Sequence, residues 1–340
     1  MAKKVTLADI AEQIGVSNVA VYKALSDKPG VSDALRSKIK VLADEMGYQT
    51  NTSRKMNGTD MGNMTGNIGV IVPELYYGSS VTFYGQLYEK VVKSLYKYGC
   101  YGILELLTKE DESAGRFPKV LQNGKVDGLI FLGQTKENYL EAMAGQTKLP
   151  TMFLDTCHPL ISLDSVISDG HYGAYLLTNY LIKNGHRSIG FVGSVDATSS
   201  ISDRYWGYRR ALRENHIEYQ EEWEIGDRDE EGNTYETILN DTKGLDALVC
   251  NCDFTAHIVI QNLEQHGYEI PKDISVVGFD NFLPHGMDEG RITSYEVDME
   301  HMADLCVKTL TKKIQGKKYT GGVQVVTGRI VPKSSDRVLM

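Results

Sequence analysis

The stretch VTLADIAEQIGVSNVAVYKAL, from Val5 to Leu25, decides the fold of the first part of the chain. Its first half predicts a short helix over Val5 to Gln13, because Thr6 can cap the helix and Asp9 follows three residues later, as in a capping box. Apolar residues recur on one face at helical spacing. They are Leu7, Ile10, Ala11 and Ile14. A short amphipathic helix is therefore expected at the start of the chain.

A turn and two further helices are predicted next. Gly15 to Ser17 can form a tight turn, because glycine tolerates a positive φ and the closing serine can cap a helix. A second helix over Asn18 to Ser26 and a break at Asp27 to Gly30 follow. A third helix, capped by Ser32, is expected to end at Met46. Two short helices across a three-residue turn, braced by a third, are an all-α helix-turn-helix head, whose second helix enters the major groove of DNA.

The charge of the chain is unevenly distributed. Its 340 residues carry a net charge of −9 at pH 7, which argues against nucleic-acid binding by the whole surface. Residues 1–57 hold nine lysines and arginines against six aspartates and glutamates, so this part carries +3 and the remainder −12. A basic head on an acidic body directs phosphate groups to the head.

A shift in composition separates the head from the body. Residues 51–66 have few large aliphatic side chains and several glycines, which is typical of a linker. We therefore predict a DNA-binding head over 1–50, a linker over 51–66 and a body over 67–340. The 41% hydrophobic content is sufficient for a buried core in the body.

The body alternates short apolar runs with helical patterns such as Tyr84 to Tyr98. The runs cover 67–72, 100–106, 127–133, 150–155, 165–168, 188–193, 246–253 and 274–280. Continuous apolar strands separated by helices indicate parallel sheets that are covered on both faces. The two series of runs predict two doubly wound α/β lobes, and ligands of such folds bind at the carboxyl ends of the strands.

These features resemble the lactose/galactose repressor family of bacterial transcription regulators. The head matches the family from Val5 to Tyr48. The matching segments of the body are LIKNGHRSIGFVG (Leu181 to Gly193), DRYWGYRRAL (Asp203 to Leu212) and IPKDISVVGFDN (Ile270 to Asn281). The resemblance implies a periplasmic-binding-protein-like core, with lobe 1 at about 67–167 and 297–323 and lobe 2 at about 168–296 and 324–340.

The resemblance also implies which residues of the head contact DNA. Asn18 and Val19 stand where the family reads bases, and Lys23 lies one turn further on. Asparagine can pair with adenine, lysine can reach guanine and valine can touch a thymine methyl group. Tyr22 replaces a residue that often holds phosphate. Further candidates for phosphate contacts lie near helix starts, where capping is a compatible structural role: Thr6, Ser17 and Ser32.

In the family, the first part of the linker folds into a hinge helix on DNA and kinks the minor groove with an apolar wedge. Asn51 suits the entry to such a helix. The chain departs from the pattern at Asn57, where the wedging leucine normally sits, and only Met56 offers an apolar side chain nearby. The alternative is a segment that holds phosphates through Arg54 and Lys55.

Polar side chains at strand ends predict an effector site in the body. Asp155, Asp253 and Asp280 each end a predicted strand, and Arg204 is expected to open a helix. Carboxylates and a guanidinium that converge on a cleft give a polyol bidentate hydrogen-bond partners. By resemblance, Arg204 and Asp280 are the principal effector contacts. The further lining positions that the resemblance implies are Phe83, Tyr84, Asp155, Ser200, Cys252 and Phe254.

Structural roles compete with several of these assignments. Asp253 and Asp280 can each cap a following helix, and Arg204 can form a surface ion pair. Trp206 either shields the pocket or packs against its own helix. Cys252 stands where many sugar binders carry asparagine, which disfavours an ordinary galactoside site. The residues after the first strand offer either a platform for sugar stacking or scattered surface tyrosines: Tyr76, Tyr77 and Tyr84.

Motifs of catalytic, cofactor and metal sites are missing from the sequence. It contains no GxxxxGK[ST] phosphate loop, no HExxH and no GxSxG. The five cysteines are scattered, and Cys250 and Cys252 lack a second pair at zinc spacing. We therefore expect no enzyme activity, no cofactor and no metal. No signal peptide or membrane helix is visible in the sequence, so a cytoplasmic location is expected.

The expected function is that of a sequence-specific transcription regulator, with repression as the expected mode. Two heads on a twofold homodimer would bind double-stranded DNA at a pseudo-palindromic operator. A small-molecule effector, expected to be a sugar or sugar derivative, would bind between the lobes and change operator affinity. The alternatives are an exported sugar-binding protein of a transporter, a sugar-modifying enzyme, and an activator or corepressor-dependent regulator.

Overall fold

The computed structural model describes residues 5–25, 28–46, 64–78, 82–157, 164–229, 244–287 and 290–338. The chain divides into two compact units, Met1–Met64 and Thr65–Met340, each of which is described by itself. The DNA contacts predicted in the linker lie outside the described residues. They are Asn51, Arg54, Lys55 and Met56.

The head contains three helices in its described part. They are α1 (Leu7–Ile14), α2 (Asn18–Leu25) and α3 (Asp33–Glu45). Thr6 and Asp9 form the predicted capping box at the start of α1, and the helix ends at Gly15 with a φ of 75°. Glycine adopts this left-handed conformation without the steric cost that a Cβ would impose. The predicted helix-turn-helix is confirmed, with bounds that differ by one or two residues.

The three helices of the head share one apolar core. Ile10 of α1, Val21 of α2 and Ile39 of α3 are fully buried within it. Arg36 of α3 donates a hydrogen bond of 2.9 Å from its guanidinium to the backbone carbonyl of Lys28. This bond ties α3 to the segment after α2, so α2 is held by both of its neighbours.

The body contains twelve strands and seven helices within the described ranges. The strands are β1 (Asn67–Pro73), β2 (Tyr101–Leu107), β3 (Gly128–Leu132), β4 (Thr151–Leu154), β5 (Asp164–Ser168), β6 (Ile189–Val192), β7 (Glu224–Ile225), β8 (Ala247–Cys250), β9 (Ser275–Asp280), β10 (Thr293–Glu296), β11 (Val323–Val326) and β12 (Arg329–Val331). The helices are α4 (Phe83–Lys97), α5 (Lys109–Ser113), α6 (Glu137–Gln146), α7 (Gly170–Lys183), α8 (Ser199–Glu214), α9 (Asp253–Gln265) and α10 (Met299–Ile314).

The strands form two separate six-stranded sheets. In the first sheet the order is β11-β5-β4-β3-β1-β2, and every neighbouring pair is parallel. In the second sheet the order is β12-β10-β9-β8-β6-β7, and only the pair of β10 with β12 is antiparallel. The prediction of two parallel α/β lobes is confirmed with this one exception. The part built on the first sheet is called the first lobe, and the part built on the second sheet is called the second lobe.

The chain passes between the two sheets three times. It leaves the first sheet after Ser168, returns to it after Glu296 and crosses again between Val326 and Arg329. The third crossing was predicted near residue 324, but β11 extends the first sheet to Val326. Val323 of this edge strand is half exposed, so the strand lacks the continuous apolar pattern that marks a central strand.

Close helix packing fixes the position of α8 in the second lobe. A Cβ on Gly207 would lie 2.0 Å from the carbonyl oxygen of His171 in α7, so only glycine permits this approach. Tyr208 is fully buried, and its hydroxyl donates a 2.7 Å hydrogen bond to the carbonyl of Ile189 in β6. The helix that carries Arg204 is therefore held against both α7 and the sheet. Among the described residues, no helix is long and apolar enough to cross a membrane.

Candidate functional site

Two aspartates lie at the carboxyl ends of strands, one in each lobe. Asp155 follows β4 directly, and Asp280 is the last residue of β9. Both have a positive φ, of 59° and 96°, and Asn281 has a φ of 50°. Residues other than glycine rarely adopt such angles, and those that do are concentrated at functional sites. The backbone is therefore strained at the two points where a parallel sheet normally binds its ligand.

The carboxyl group of Asp155 is the centre of a buried hydrogen-bond cluster in the first lobe. Tyr84 donates to its Oδ2 at 3.0 Å, and Ser168 donates to its Oδ1 at 3.3 Å. Burial raises the pKa of Asp155 to about 6, although the charge of Arg204 opposes the rise and that of Asp280 adds to it. Since Arg204 and Asp280 belong to the second lobe, the carboxyl group of Asp155 interacts with charges across the cleft.

Arg204 is buried in the second turn of α8, with 6% of its surface exposed. Its Nη2 donates to Asp280 at 3.1 Å, its Nη1 donates to the carbonyl of Asn251 at 2.7 Å, and its guanidinium lies 4.0 Å from the ring centre of Phe279. It does not open the helix as predicted, because α8 begins five residues earlier at Ser199. The ion pair is buried, and so the surface ion pair considered above does not form.

Burying the ion pair of Arg204 and Asp280 costs solvation free energy. Removing two charges from water offsets much of their attraction, so such a pair is weak support for stability. The Nε atom of Arg204 is also buried without a hydrogen-bond partner among the described residues. Burial raises the pKa of Asp280, and the charges of Arg204 and Arg228 oppose the rise. Polar groups that are desolvated but incompletely bonded are suited to a polar ligand.

The second lobe contributes a further arginine that the sequence analysis missed. Arg228 donates from Nε and Nη2 to the two carboxylate oxygens of Asp227 at 3.0 and 2.7 Å. Asp227 is fully buried and also accepts from Asn251 at 2.6 Å and Thr255 at 2.8 Å. Burial would raise the pKa of Asp227, but Arg228 and these hydrogen bonds outweigh it and lower the pKa to about 2. Arg228 is therefore held rigidly, and its charge opposes the rise that burial causes in the pKa of Tyr76 in the first lobe.

Asp253 is the first residue of α9, and Cys252 caps this helix. Asp253 was predicted to end the preceding strand, and it does not. The Sγ atom of Cys252 caps the helix by accepting from the amide of Thr255 at 3.5 Å. Asp253 is 2% exposed and accepts from the hydroxyl of Ser294 at 2.7 Å and from the amide of Phe282 at 2.9 Å. Both carboxylate oxygens accept these bonds, so Asp253 supports the segment after β9 and does not line the cleft.

Aromatic residues form a wall on the first lobe beside Asp155. The rings of Tyr76 and Tyr84 are 4.8 Å apart, and Phe83 contacts Tyr84 edge-on at 5.3 Å. Phe83 also meets Phe282 of the second lobe edge-on at 6.4 Å. The structure therefore brings two of the three candidate platform tyrosines together with Phe83.

The other residues that the sequence analysis singled out lie apart from this wall. Tyr77 packs edge-on against Tyr88 at 6.4 Å and does not join the platform. Ser200 lies in the first turn of α8, where its hydroxyl is hydrogen-bonded, and Phe254 is exposed at the start of α9. Trp206 is 55% exposed on the outer face of α8, and its ring contacts Tyr205 of the same helix edge-on at 5.2 Å, which agrees with packing against its own helix.

A cavity of about 960 Å³ lies between the lobes and is lined by Tyr76 and Arg228, whereas Asp155, Arg204 and Asp280 are not among its lining residues. Gln134 of the first lobe accepts a hydrogen bond of 2.9 Å from the amide of Ser199, which joins the lobes at the edge of this cavity. The hydroxyl of Thr135 lines the cavity, is buried, and has no hydrogen-bond partner in the described part of the chain. A ligand hydroxyl would satisfy this group, whose burial alone is unfavourable.

In the head, the candidate base-reading residues lie on the surface of α2. Val19 and Tyr22 are 61% and 46% exposed, Asn18 is also exposed, and Lys23 is partly buried. An exposed valine of this kind has no partner in the core and suits contact with a thymine methyl group. The exposed face of α2 is thus opposite the residues that pack on α1 and α3.

The candidate phosphate contacts of the head all cap helices. Thr6 caps α1 as described above. The hydroxyl of Ser17 accepts from the amide of Ala20 at 3.2 Å, and that of Ser32 accepts from the amide of Leu35 at 3.4 Å. Capping leaves the other amides of the first turn available for an anion. Contact with DNA phosphate stays a prediction for these residues.

Comparison with known sequences gives matches to both units. Residues 6–51 match the family described as "Bacterial regulatory proteins, lacI family", and residues 178–335 match a "Periplasmic binding protein-like domain". The transcriptional regulator RegA of Clostridium saccharobutylicum is 27% identical over 339 residues, covering 97% of this chain and 98% of the relative. Catabolite control protein A of Priestia megaterium is 25% identical and covers 98% and 99% of the two chains.

Solved structures with the same fold match almost the whole length of the chain. The lac repressor dimer bound to operator and the anti-inducer ONPF has a TM-score of 0.70 at 21% identity, and the match covers 98% of this chain and 99% of that one. The complex of the regulator CelR with cellobiose has a TM-score of 0.68 at 21% identity, covering 98% and 100%. At these identities the likeness concerns the fold alone.

Proposed function

Because the chain belongs to the lacI family of DNA-binding transcription regulators, we propose that it is a repressor whose operator affinity is set by a small molecule bound between its lobes. The observation that carries this proposal is the buried ion pair of Arg204 with Asp280, whose charges reach Asp155 across the cleft. We propose a sugar or sugar derivative as the effector.

The chemistry of the cleft supports a polyhydroxylated ligand. Asp155 and Asp280 offer acceptors, Arg204 and Arg228 offer planar sets of donors, and Thr135 offers an unpartnered hydroxyl. Sugar hydroxyls both donate and accept, so a single polyol can satisfy groups of both kinds. The faces of Tyr76 and Tyr84 supply the apolar surface on which a sugar ring packs. The cellobiose complex of CelR makes a sugar the class to test first.

Ligand binding affects operator affinity only if the ligand binds two arrangements of the lobes differently. A polyol that bonds to Asp155 on one lobe and Arg204 on the other favours the closed arrangement over the open one. We propose that this difference is transmitted to the DNA-binding heads of a homodimer. Twofold symmetry then requires an operator made of two inverted half-sites.

The test begins with selection of genomic fragments by the purified protein at about physiological salt, where binding to phosphate alone is weak. Enrichment of an inverted repeat is the expected result. Fluorescence polarisation on that repeat is then measured while sugars are titrated, beginning with those that the products of the adjoining genes would transport or cleave. A sugar that lowers operator affinity is an inducer, and one that raises affinity is a corepressor.

Arg204→Gln is the critical variant, with Arg116→Gln as the matched control on the surface of the first lobe. Arg204→Gln should bind the operator with unchanged affinity but lose the response to the sugar. Arg116→Gln, which removes an exposed partner of Asp111, should retain both. Loss of operator binding in folded Arg204→Gln protein would contradict the site assignment. Sugar binding without enrichment of any DNA repeat would instead favour a sugar-binding protein.

A further inference from the structure

A second cavity of about 420 Å³ lies on the outer face of α8, away from the cleft. It shares no lining residue with the cavity between the lobes. Its lining combines guanidinium groups, an imidazole, aromatic rings and aliphatic side chains. The lining residues are His171, Trp206, Arg209, Arg210, Leu212, Arg213, Ile217 and Tyr219.

The cavity is cationic on a body that carries −12 outside residues 1–57. Three arginines and a histidine line it, and no carboxylate is among its lining residues in the described ranges. Glu214 supplies a counter-charge to Arg210 through a 2.9 Å ion pair, and Arg210 and, less strongly, Arg213 lower the pKa of this carboxyl group. Arg213 forms no hydrogen bond or ion pair with the described residues. The guanidinium group of Arg213 is therefore available to bind an anion in this cavity.

Arg209 is held in a fixed orientation. Its Nη1 donates to the hydroxyl of Tyr205 at 2.6 Å, and its guanidinium lies 3.4 Å from the ring centre of Tyr219. Tyr219 is fixed in turn, because its hydroxyl donates to Glu224 at 3.1 Å. A guanidinium that is immobilised before binding loses little entropy when it meets an anion. Within the described ranges, Nε and Nη2 of Arg209 have no hydrogen-bond acceptor and remain as donors.

Trp206 provides a flat apolar surface at the same cavity. Trp206 is 55% exposed. It is one of two tryptophans in the chain. It precedes Arg209 and Arg210 by three and four residues, so these side chains are neighbours on one face of α8. Arg213 lies one turn further along the same face. A ligand bound here would contact an aromatic ring at one end and guanidinium groups at the other.

We propose that this cavity binds a small molecule that joins a phosphate group to a flat ring, which is the chemistry of a nucleotide. A phosphate group carries nearly two negative charges and three acceptor oxygens, and so it matches a cavity lined by three arginines better than a single carboxylate does. The flat ring stacks on Trp206, as bases stack on aromatic side chains elsewhere. The site is separate from the effector cleft and adds a second ligand to the protein.

Trp206 is its own reporter once Trp223 is replaced. In the full chain with Trp223→Phe, we expect AMP to quench the remaining tryptophan emission in a saturable manner. Adenosine, which lacks the phosphate, and ribose 5-phosphate, which lacks the ring, should each bind at least tenfold more weakly. Trp223 packs on the core of the second lobe, so calorimetric titration of the unaltered chain repeats the comparison without that substitution.

Arg213→Gln is expected to weaken AMP binding at least tenfold, whereas Arg116→Gln should leave it unchanged. The proposal is overturned if AMP does not bind, or if Arg213→Gln binds it as tightly as the parent does. Equal binding of ribose 5-phosphate and AMP would overturn the ring-stacking part, and equal binding of adenosine would overturn the phosphate part.

Discussion

The hydroxyl of Tyr84 donates a 3.0 Å hydrogen bond to the carboxyl group of Asp155, and the two residues belong to different elements of the first lobe. Tyr84 lies at the start of α4, and Asp155 directly follows β4. The bond connects the aromatic wall to the acid that faces the charges of the second lobe. This hydrogen bond therefore joins the aromatic wall of the cleft to its charged groups.

The first prediction concerns the effect of Asp155 on the stability of the body as a function of pH. Burial raises the pKa of Asp155 from 3.8 to about 6, so the folded protein holds its proton over a pH range in which the unfolded chain has lost it. Protonated Asp155 therefore favours folding below about pH 4, and this contribution to the free energy of unfolding is lost as the pH rises to about 6. Asp155→Asn should therefore stabilise the body at pH 7.5 by about 1–3 kcal/mol and change it little at pH 4.

Urea unfolding of the body at the two pH values measures this difference. Asp196→Asn, at an exposed position on the second lobe, is the control and should give the same change at both. A variant that is less stable than the parent at pH 7.5 would show that ionised Asp155 is stabilised by its partners and not penalised by burial.

The second prediction concerns the cap of α9. The sulfur of Cys252 accepts the amide of Thr255 at 3.5 Å, and sulfur is a weaker acceptor than a hydroxyl oxygen. Cys252→Ser should therefore stabilise the body by about 0.5–1 kcal/mol, since serine is a preferred residue at this position. Cys157→Ser, which replaces a cysteine outside any helix cap, is the matched control. An equal effect of both substitutions in thermal unfolding would exclude capping as the cause.

Much of the fold follows from local sequence patterns. Continuous apolar runs predicted the central strands such as β1 and β6, because a strand buried on both faces has no polar positions to interrupt it. β10 was not predicted, since its residues Thr293 to Glu296 include buried polar side chains whose partners are distant in sequence. Its Ser294 bonds to Asp253 across 41 residues, and no local pattern indicates such a contact.

The candidate site was predictable only in part, for the same reason. Asp155 and Asp280 were found because they terminate apolar strands, and the position of a strand end is a local signal. Arg228 was missed, because in the sequence it belongs to a charged run, DRDEE, that is typical of a solvated loop. Its importance arises from buried Asp227, which is held by Asn251, directly after β8, and by Thr255 of α9.

The third prediction concerns the glycine that faces Asp253. A Cβ on Gly278 would lie 2.1 Å from the carboxylate of Asp253, which is already bonded to Ser294. Gly278→Ala should destabilise the body by about 1–3 kcal/mol or more, because the buried carboxylate has no free space into which to move. Gly78→Ala, where a Cβ would meet nothing within 4 Å, is the control. Unfolding curves that are the same for the parent and Gly278→Ala would disprove the close approach.

The last prediction concerns the hydrogen bonds between the lobes. Gln134 accepts from the amide of Ser199 at 2.9 Å and from its hydroxyl at 3.2 Å, so one side chain of the first lobe meets the start of α8. These bonds form only when the lobes are close, and a net free energy of about 0.5–1.5 kcal/mol for such a bond corresponds to a change of about two- to twelvefold in the equilibrium. Gln134→Ala should weaken effector binding by that factor.

Gln134→Glu keeps an acceptor at the same reach and should restore most of the affinity that Gln134→Ala loses. The quantity to measure is the dissociation constant of the effector by calorimetry, together with operator affinity in the absence of effector. A reduction in both variants alike would assign Gln134 to direct ligand contact through its amide N–H. A reduction in Gln134→Ala alone identifies the acceptor oxygen, and therefore the closure of the two lobes, as the source of the effect.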